Sequence, residues 1–377
     1  MNTRFTVLTR QLPFILSILL IYGCKDTPSP ISEPSNKPLS LELPPQFGNG
    51  YVLPENNPLT VKGVELGRKL FYDKRLSGDN TQSCASCHQQ QFGFASNMVA
   101  DKGITGETTG MNTMALSNLI WQKKFFWNGR VNTLEQQALA PIENPLEMHQ
   151  DLDELVEELE ADEVYVKLFE LAFDSAGITA IRIAEALSQF ERTLISADSK
   201  YDRYLEGTYE PTDMELKGME LFFTHPIPDQ GLRGGNCGDC HLGPLVDGDQ
   251  LGFQGFHNNG LDSDENLKDG LAAVTEKATD KGKFKAPSLR NIALTAPYMH
   301  DGRFNTLEEV VEHYDEHIIK SETLDPLILE ASNEKLFPDD PIKLYLTDEE
   351  KQAIVAFLHM LTDDTFVTNP DFADPNQ

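Results

Sequence analysis

The chain has few cysteines, no apolar run long enough to cross a bilayer and little positive charge. Five cysteines among 377 residues are too few for a scaffold held together by many disulfides. An apolar run over residues 12–22 is shorter than the about 20 residues that span a membrane. With 31 basic and 60 acidic residues, the net charge of −29 argues against a nucleic-acid partner, because phosphates would be repelled.

The N-terminus resembles an export signal. Basic residues precede the apolar run, and a small residue precedes Cys24, so residues 1–23 predict a signal peptide. The sequence Ile-Tyr-Gly-Cys resembles a bacterial lipoprotein processing site, at which Cys24 would become the lipidated N-terminus. Residues 24–47 are rich in proline and serine and predict an extended tether. We therefore expect an exported, periplasmic protein that meets the membrane only through a lipid anchor.

The other four cysteines form two C-x-x-C-H motifs, CASCH at residues 84–88 and CGDCH at residues 237–241. In this motif both thiols can form thioethers with the haem vinyl groups, and the adjacent histidine can ligate the iron. A four-cysteine zinc site would leave both histidines unexplained. The motifs predict two covalent haem c groups with these attachment and proximal residues: Cys84, Cys87 and His88 for the first, and Cys237, Cys240 and His241 for the second.

The segments around the two motifs are repeated as well. The similar stretches ELGRKLFY (65–72) and LKGMELFF (216–223) each precede one motif. Behind the motifs, residues 114–141 align without gaps to residues 287–314, and both copies contain Gly-Arg followed by Asn-Thr-Leu-Glu. The chain therefore has the pattern of a duplicated helical module that carries one haem in each copy.

Most of the remaining sequence predicts helices. Three segments place apolar residues at helical spacing: Leu152, Leu155, Val156 and Leu159 in residues 151–164, Ile181, Ala184, Leu187 and Phe190 in 178–196, and Ile354, Phe357, Leu358 and Leu361 in 347–363. Capping boxes start helices at Thr306 and Thr347. Strand-like alternation is scarce. We predict a mostly α fold with two tandem c-type cytochrome domains, an N-terminal one over residues 48–205 and a C-terminal one over 206–377.

The two copies differ at the end of the aligned segment. FWNGRVNTLEQQALAP ends in Pro141, whereas MHDGRFNTLEEVVEHY ends in Tyr314. Val310 and Tyr314 are four residues apart on one helical face, which can direct Tyr314 at a haem. Pro141 has no side-chain donor and breaks helices. This pattern suits one capped haem for electron transfer and one open haem that can bind peroxide or oxygen; the alternative is that Tyr314 is a core aromatic.

The order of the motifs resembles the bacterial di-haem cytochrome c peroxidase and MauG family. The matching stretches run over about residues 50–365: CASCH, MNTMALSN, FFWNGR, NTLEQQALAPIENPLEM, CGDCH, APSLRN and APYMHDGRFNTLEEVVEHY. The resemblance implies a C-terminal electron-reservoir haem and an N-terminal haem at which peroxide reacts. It also implies Tyr314 as the second ligand of the reservoir haem, as in MauG, where many peroxidases use methionine. Met299 and His313 are the alternatives.

The resemblance implies further site residues on the N-terminal side. Trp127 matches the family tryptophan between the haems, and Pro141 would lie over the open iron. Glu147 matches the distal acid–base residue, and Gln137 matches the amide beside it. Such a carboxylate is needed because peroxide must lose a proton from one oxygen and gain one on the other as the O–O bond breaks. Glu143 is the local alternative to Glu147.

A calcium ion and protein partners are also implied by the resemblance. Asn112, Thr295 and Pro297 match the bridging calcium site, in which Thr295 and Pro297 would offer backbone carbonyls; oxygen ligands suit calcium. Electrons would come from a small exported donor, a cytochrome c or a copper protein. Family members often form homodimers.

The loop after the first motif lacks a residue that many family members have. Those members hold the N-terminal haem inactive with a second histidine, but residues 89–147 contain none, and Thr105 lies near the family position. We therefore predict that this haem is already open in the fully oxidised protein. The alternative ligands within the loop are Met98, Met111 and Met114.

Three functions fit these features. The first is a di-haem peroxidase that reduces hydrogen peroxide, an oxidoreductase. The second is a MauG-like oxidase that acts on another substrate, which can be a protein side chain. The third is a non-enzymatic electron carrier with both irons capped, and the difference between Pro141 and Tyr314 argues against it.

Overall fold

The fold is helical, as predicted, in the part of the chain that the structure describes. The structure is a computed structural model and describes residues 36–51, 53–175, 177–248 and 255–376. The helices are α1 (Val61–Phe71), α2 (Cys84–Cys87), α3 (Leu134–Glu143), α4 (Leu152–Glu160), α5 (Glu163–Phe173), α6 (Ala180–Glu191), α7 (Lys200–Leu205), α8 (Asp213–Phe223), α9 (Ala272–Thr275), α10 (Leu307–Glu316), α11 (Pro326–Ala331), α12 (Asp348–Met360) and α13 (Asp364–Thr368). Two short strands, β1 (Phe256–His257) and β2 (Phe284–Lys285), pair antiparallel.

Buried apolar side chains form two main clusters that follow the two halves of the sequence. The first draws on residues 66–194, with Phe366 and Phe372 from the C-terminal end, and the second draws on residues 201–361. A smaller cluster joins Phe47 and Trp121 to Leu245. None of the helices within the described ranges is long and apolar enough to cross a membrane.

The duplication seen in the sequence is repeated in the backbone. An isolated β-bridge joins Phe125 to Val131 in the first copy and Tyr298 to Phe304 in the second, at aligned positions. Each bridge is followed by a helix of 10 residues, α3 or α10, whose first turn is capped by a threonine. The aligned segments therefore form the same turn and helix twice.

The helix that precedes each haem motif crosses a partner helix at a glycine. Helix α1 packs on α6, and α8 packs on α12. A Cβ atom on Gly67 would lie 1.9 Å from the Ala186 carbonyl oxygen, and one on Gly218 would lie 1.7 Å from the Ala353 carbonyl oxygen. Both crossings are therefore close enough to require glycine.

Replacing Gly218 by alanine is expected to lower the free energy of unfolding by about 2 kcal/mol. Overpacking costs about 1–3 kcal/mol of stability, and we expect a cost near the upper end of this range because the added methyl group would clash with main-chain atoms. The higher helix propensity of alanine offsets at most about 1 kcal/mol of this cost. Urea unfolding of the haem-loaded protein measures the change. Gly50→Ala is the matched control, because no atom lies within 4 Å of its added Cβ; equal midpoints for the two variants would contradict the prediction.

The predicted helices agree with the structure except in two places. Residues 151–164 form not one helix but the end-to-end pair α4 and α5, because Asp162 leaves the helix and caps α5 by accepting from Val164 N–H. Ile181, which helical spacing groups with Ala184, Leu187 and Phe190, is 68% exposed, and Ile183 is buried instead. The prediction for residues 347–363 is confirmed, with the capping box at Thr347 and all four apolar residues buried.

Part of the predicted tether packs on the helical unit. Leu39 N–H donates to the Leu59 carbonyl at 2.9 Å, and Phe47 is buried edge-to-face against Trp121 with ring centroids 5.2 Å apart. The segment from residue 36 to residue 47 therefore differs from the extended tether predicted for it. The signal peptide over residues 1–23 and the lipidated Cys24 lie outside the described residues.

Candidate haem and peroxide site

One cavity of about 550 Å³ reaches both C-x-x-C-H motifs. The four cysteines of the motifs line it, and His88 and His241 line it as well. Apolar side chains such as Leu187 and Leu358 form much of the remaining wall. The residues that C-x-x-C-H chemistry needs therefore face one connected internal space.

The two motif histidines are held in the orientation that an iron ligand needs. Nδ1 of His88 lies 2.9 Å from the Phe94 carbonyl oxygen, and Nδ1 of His241 lies 3.0 Å from that of Pro287. Burial lowers the pKa of His88, and it lowers the pKa of His241 to about 4. A neutral imidazole that donates Nδ1–H to a carbonyl keeps its lone pair on Nε2. The donor set thus fits two haem groups.

Tyr314 lines the cavity from α10. Its hydroxyl accepts a hydrogen bond from Asn259 Nδ2 at 3.0 Å, and its ring packs among isoleucine and leucine side chains of a small apolar cluster. Burial raises the pKa of Tyr314, and the bond from Asn259 opposes that rise. The side chain is therefore both aimed into the cavity and fixed by a partner from a distant segment.

The two alternatives to Tyr314 lie differently. His313 is buried, its Nε2 lies 3.0 Å from the Asn259 carbonyl oxygen, and it is not among the residues that line the cavity. Met299 does line the cavity, and its Sδ accepts from Asn259 Nδ2 at 3.4 Å. The geometry thus disfavours His313 and leaves Met299 as the competing ligand.

The residue of the first copy that aligns with Tyr314 offers the cavity no atom that could bind a metal. Pro141 lines it from α3, and the helix continues through this residue to Glu143, contrary to the expectation that Pro141 breaks it. A proline in the last turn of a helix removes only the hydrogen bond that its own nitrogen would donate, so α3 can continue for two residues beyond Pro141. Gln137, one turn earlier, also lines the cavity, and its Oε1 is buried without a hydrogen-bond partner.

Glu147 lines the cavity as well. Asn144 Nδ2 donates to its Oε1 at 2.7 Å. Burial raises the pKa of Glu147, while the bond from Asn144 and the charge of Arg130 both lower it. Glu143 is exposed at the end of α3 and does not line the cavity. Of the two candidate carboxylates, only Glu147 lines the cavity, as Gln137 and Pro141 do.

Trp127 lies where the two copies meet. Its Nε1 donates to the Asn112 carbonyl oxygen at 2.8 Å, and its ring is edge-on to His300 with centroids 6.5 Å apart. His300 in turn stacks on Phe284 at 3.7 Å. The tryptophan is therefore held between Asn112 of the first half and His300 of the second, and Phe284 supports His300.

The predicted calcium ligands line the cavity close to this junction. Asn112 uses its Nδ2 to donate to the Met98 carbonyl oxygen at 3.0 Å, and its N–H donates to the His300 carbonyl oxygen. Among the residues that the structure describes, no group of three or more histidine, cysteine or acidic side chains could hold a metal. Calcium binding through Asn112, Thr295 and Pro297 stays a prediction.

The candidate ligands in the loop after the first motif differ in whether they reach the cavity. Thr105 is exposed, and Met98 is 50% exposed; neither is among the residues that line the cavity. Met111 and Met114 line it. The structure thus disfavours Met98 as a ligand of the N-terminal haem and leaves the other two as alternatives.

Two residues of the site have no role in the sequence analysis. Asn144 fixes Glu147, and its place three residues earlier in the chain is the signal that could have identified it. Asn259 bonds to Tyr314 from a segment 55 residues away, for which the sequence gives no signal.

Sequence comparisons place the chain among di-haem proteins. A profile described as di-haem cytochrome c peroxidase matches residues 61–210. The cytochrome c551 peroxidase of Nitrosomonas europaea is 34% identical over 350 residues, which cover 89% of this chain and 92% of that protein. The methylamine utilization protein MauG of Methylorubrum extorquens is 34% identical over 309 residues, which cover 82% and 80%.

Solved structures agree with this placement. A MauG-like protein associated with microbial copper homeostasis superposes with a TM-score of 0.79 at 35% identity, covering 90% of this chain and all of the other. The diheme peroxidase BthA from Burkholderia thailandensis has the same fold, with a TM-score of 0.65 at 21% identity over 82% of this chain and 89% of that chain.

Proposed function

The chain belongs to the family of bacterial di-haem cytochrome c peroxidases and MauG, and we propose that it reduces hydrogen peroxide at an open N-terminal haem with electrons from a C-terminal reservoir haem. The observation that carries this proposal is the asymmetry of two otherwise equivalent helices. Helix α10 presents Tyr314 to the cavity, whereas α3 presents Pro141 at the aligned position. One half would supply Tyr314 as a second ligand to a haem iron, and the other half offers no side-chain donor at the aligned position.

Two haem c groups, one in each of the domains 48–205 and 206–377, would supply the iron centres that bind peroxide and hold electrons. Cys84 and Cys87 would hold one covalently, with His88 as proximal ligand, and the second motif would hold the other. The net reaction consumes two electrons and two protons for each peroxide and yields two waters. The chain must therefore deliver protons on the side of Pro141.

Glu147 is placed to carry those protons. It is partly withdrawn from solvent, and Asn144 fixes one of its oxygens, so the other can accept a proton from one peroxide oxygen and return it to the other. Gln137 Oε1, which is buried and unpartnered, can accept a hydrogen bond from a peroxide O–H. Together these side chains would orient a small, protonated substrate within the cavity that Pro141 also lines.

Trp127 is placed to pass charge between the halves. Its ring is fixed by the bond to the Asn112 carbonyl and by contact with His300, so it needs no rearrangement during turnover. A calcium ion held by Asn112, Thr295 and Pro297 would brace the same junction. The external donor would be a small exported cytochrome c or copper protein, which the net charge of −29 would attract if it were basic.

A MauG-like oxidase is the second candidate. The tyrosine at position 314 and the absence of histidine from residues 89–147 favour it. In either case we propose export to the periplasm with a lipid anchor at Cys24, and a homodimer is compatible with both.

Steady-state turnover distinguishes the candidates. The peroxidase proposal predicts that peroxide oxidises a reduced small cytochrome continuously in the presence of the protein. Negligible turnover together with a long-lived oxidised form of the protein after one equivalent of peroxide would favour the oxidase. A protein that does not react with peroxide at all would contradict both.

A further inference from the structure

The two candidate ligands of the second haem share one hydrogen-bond donor. The side-chain amide of Asn259 donates to the Tyr314 hydroxyl at 3.0 Å and to the Met299 sulfur at 3.4 Å. All three side chains belong to residues that line the cavity. An asparagine amide carries two N–H groups, so it can hold both partners at once. The side chains that compete for the iron are therefore tied to the same residue.

The segment that carries Asn259 is fixed against its neighbours. The carbonyl oxygen of Asn259 lies 3.0 Å from His313 Nε2, so two consecutive residues of α10 contact Asn259. The next carbonyl, that of Gly260, accepts the Ile319 N–H at 2.8 Å. On the other side, strand β1 ends at His257 and is paired with β2. The amide is therefore held at a defined position relative to Tyr314.

Met299 reaches the cavity because it lies in the duplicated turn. It has a positive φ of 73°, and Phe126 at the aligned position of the first copy has a φ of 66°. Both residues line the cavity. Phenylalanine offers no atom that binds iron, whereas the methionine sulfur can do so. The second half therefore contains two side chains that could take one ligand position.

The amide favours the tyrosine over the methionine. Its bond to the Tyr314 oxygen has the length of an ordinary N–H···O hydrogen bond, and a thioether sulfur is only a weak acceptor. A tyrosine binds iron through an oxygen that carries negative charge, and hydrogen bonds to charged acceptors are about twice as strong as neutral ones. The bond from Asn259 thus stabilises a bound tyrosine more than a bound methionine.

We propose that Asn259 is a positioning residue that selects Tyr314 over Met299 as the second ligand of the C-terminal haem and raises the reduction potential of that haem. A donor on the ligand oxygen draws negative charge away from the iron, which favours the reduced state. The inference rests on the proposed function, in which this haem is the electron reservoir and Tyr314 its ligand.

The first test compares the oxidised haem-loaded wild type with Asn259→Leu, which has a similar size and no hydrogen-bonding atom. Loss of a hydrogen bond to a charged ligand is expected to raise the ratio of methionine-bound to tyrosine-bound haem at least about tenfold. The near-infrared absorption band of a methionine–iron bond measures the change. Asn259→Asp, which keeps the shape without an N–H donor, should change in the same direction.

Asn266→Leu is the matched control. Asn266 is an exposed asparagine seven residues further along the chain, and its amide donates to Ser263 Oγ at 3.2 Å. It does not line the cavity, so this variant should keep the wild-type spectrum.

A second pair of variants isolates the effect on the tyrosine. Met299→Leu and the double variant Asn259→Leu/Met299→Leu both keep Tyr314 and lack the methionine, so the difference between them comes from the amide. The C-terminal haem of the double variant should have the lower reduction potential. A tenfold change in the ratio of reduced to oxidised haem corresponds to about 59 mV for one electron. The potential of the N-terminal haem is the internal reference.

Two results would overturn the role of Asn259: equal potentials of the C-terminal haem in this pair, or an Asn259→Leu protein that keeps the wild-type spectrum. A methionine band that is already present in the wild type and disappears in Met299→Leu has a different meaning. It would overturn Tyr314 as the reservoir ligand, and the inference with it.

Discussion

Glu147→Gln is expected to slow the reaction of the oxidised protein with peroxide by about 10²–10⁴-fold, the range that a positioned acid–base group contributes. Glutamine keeps the shape of the side chain and can still meet Asn144, whose Nδ2 lies 2.7 Å from Glu147 Oε1. It cannot accept the peroxide proton. Stopped-flow absorbance of the haem bands after mixing with peroxide measures the rate.

Glu143→Gln is the matched control for this prediction. Glu143 is the nearest rival carboxylate in sequence, but it is exposed and does not line the cavity. Its replacement should leave the rate unchanged. A large loss in Glu143→Gln with none in Glu147→Gln would reverse the assignment of the distal carboxylate.

Tyr314→Phe is expected to remove the low-spin signal of one haem from the oxidised protein and to abolish the electron-reservoir function. The phenylalanine ring fills the same space but offers no oxygen to the iron. Asn259 Nδ2, which donates to the Tyr314 hydroxyl at 3.0 Å, would lose that acceptor. Electron paramagnetic resonance of the two proteins measures the change in spin state.

Met299→Leu tests the competing ligand in the same experiment. Met299 also lines the cavity, and its Sδ shares Asn259 Nδ2 with Tyr314. If Tyr314 is the ligand, Met299→Leu keeps the low-spin signal. Loss of the signal in Met299→Leu and its survival in Tyr314→Phe would assign the reservoir ligand to methionine.

Features with a local cause could be predicted from the sequence. Helix starts at Thr306 and Thr347 follow from capping boxes, in which both partners lie within one turn. The duplication could be seen in the sequence because residues 114–141 and 287–314 align without gaps, and the structure shows that both segments form the same turn and helix. The break between α4 and α5 was missed because the apolar spacing around Asp162 continues across it, and the capping preference of the aspartate prevailed.

Features that depend on distant contacts could not be predicted. The sequence offered Tyr314 and its neighbour His313 as ligands. The structure shows that Tyr314 lines the cavity, whereas His313 is bonded to the Asn259 carbonyl and is not among the lining residues. Ile181 is 68% exposed although it shares the helical spacing of buried residues of α6, and spacing alone does not reveal this.

The most direct test of the proposed function is low-temperature electron paramagnetic resonance of the oxidised haem-loaded protein, before and after one equivalent of peroxide. The difference between Pro141 and Tyr314 predicts one high-spin and one low-spin haem, with the high-spin signal consumed by peroxide. Two low-spin haems that do not respond to peroxide would contradict it, because both irons would then be capped in the oxidised protein.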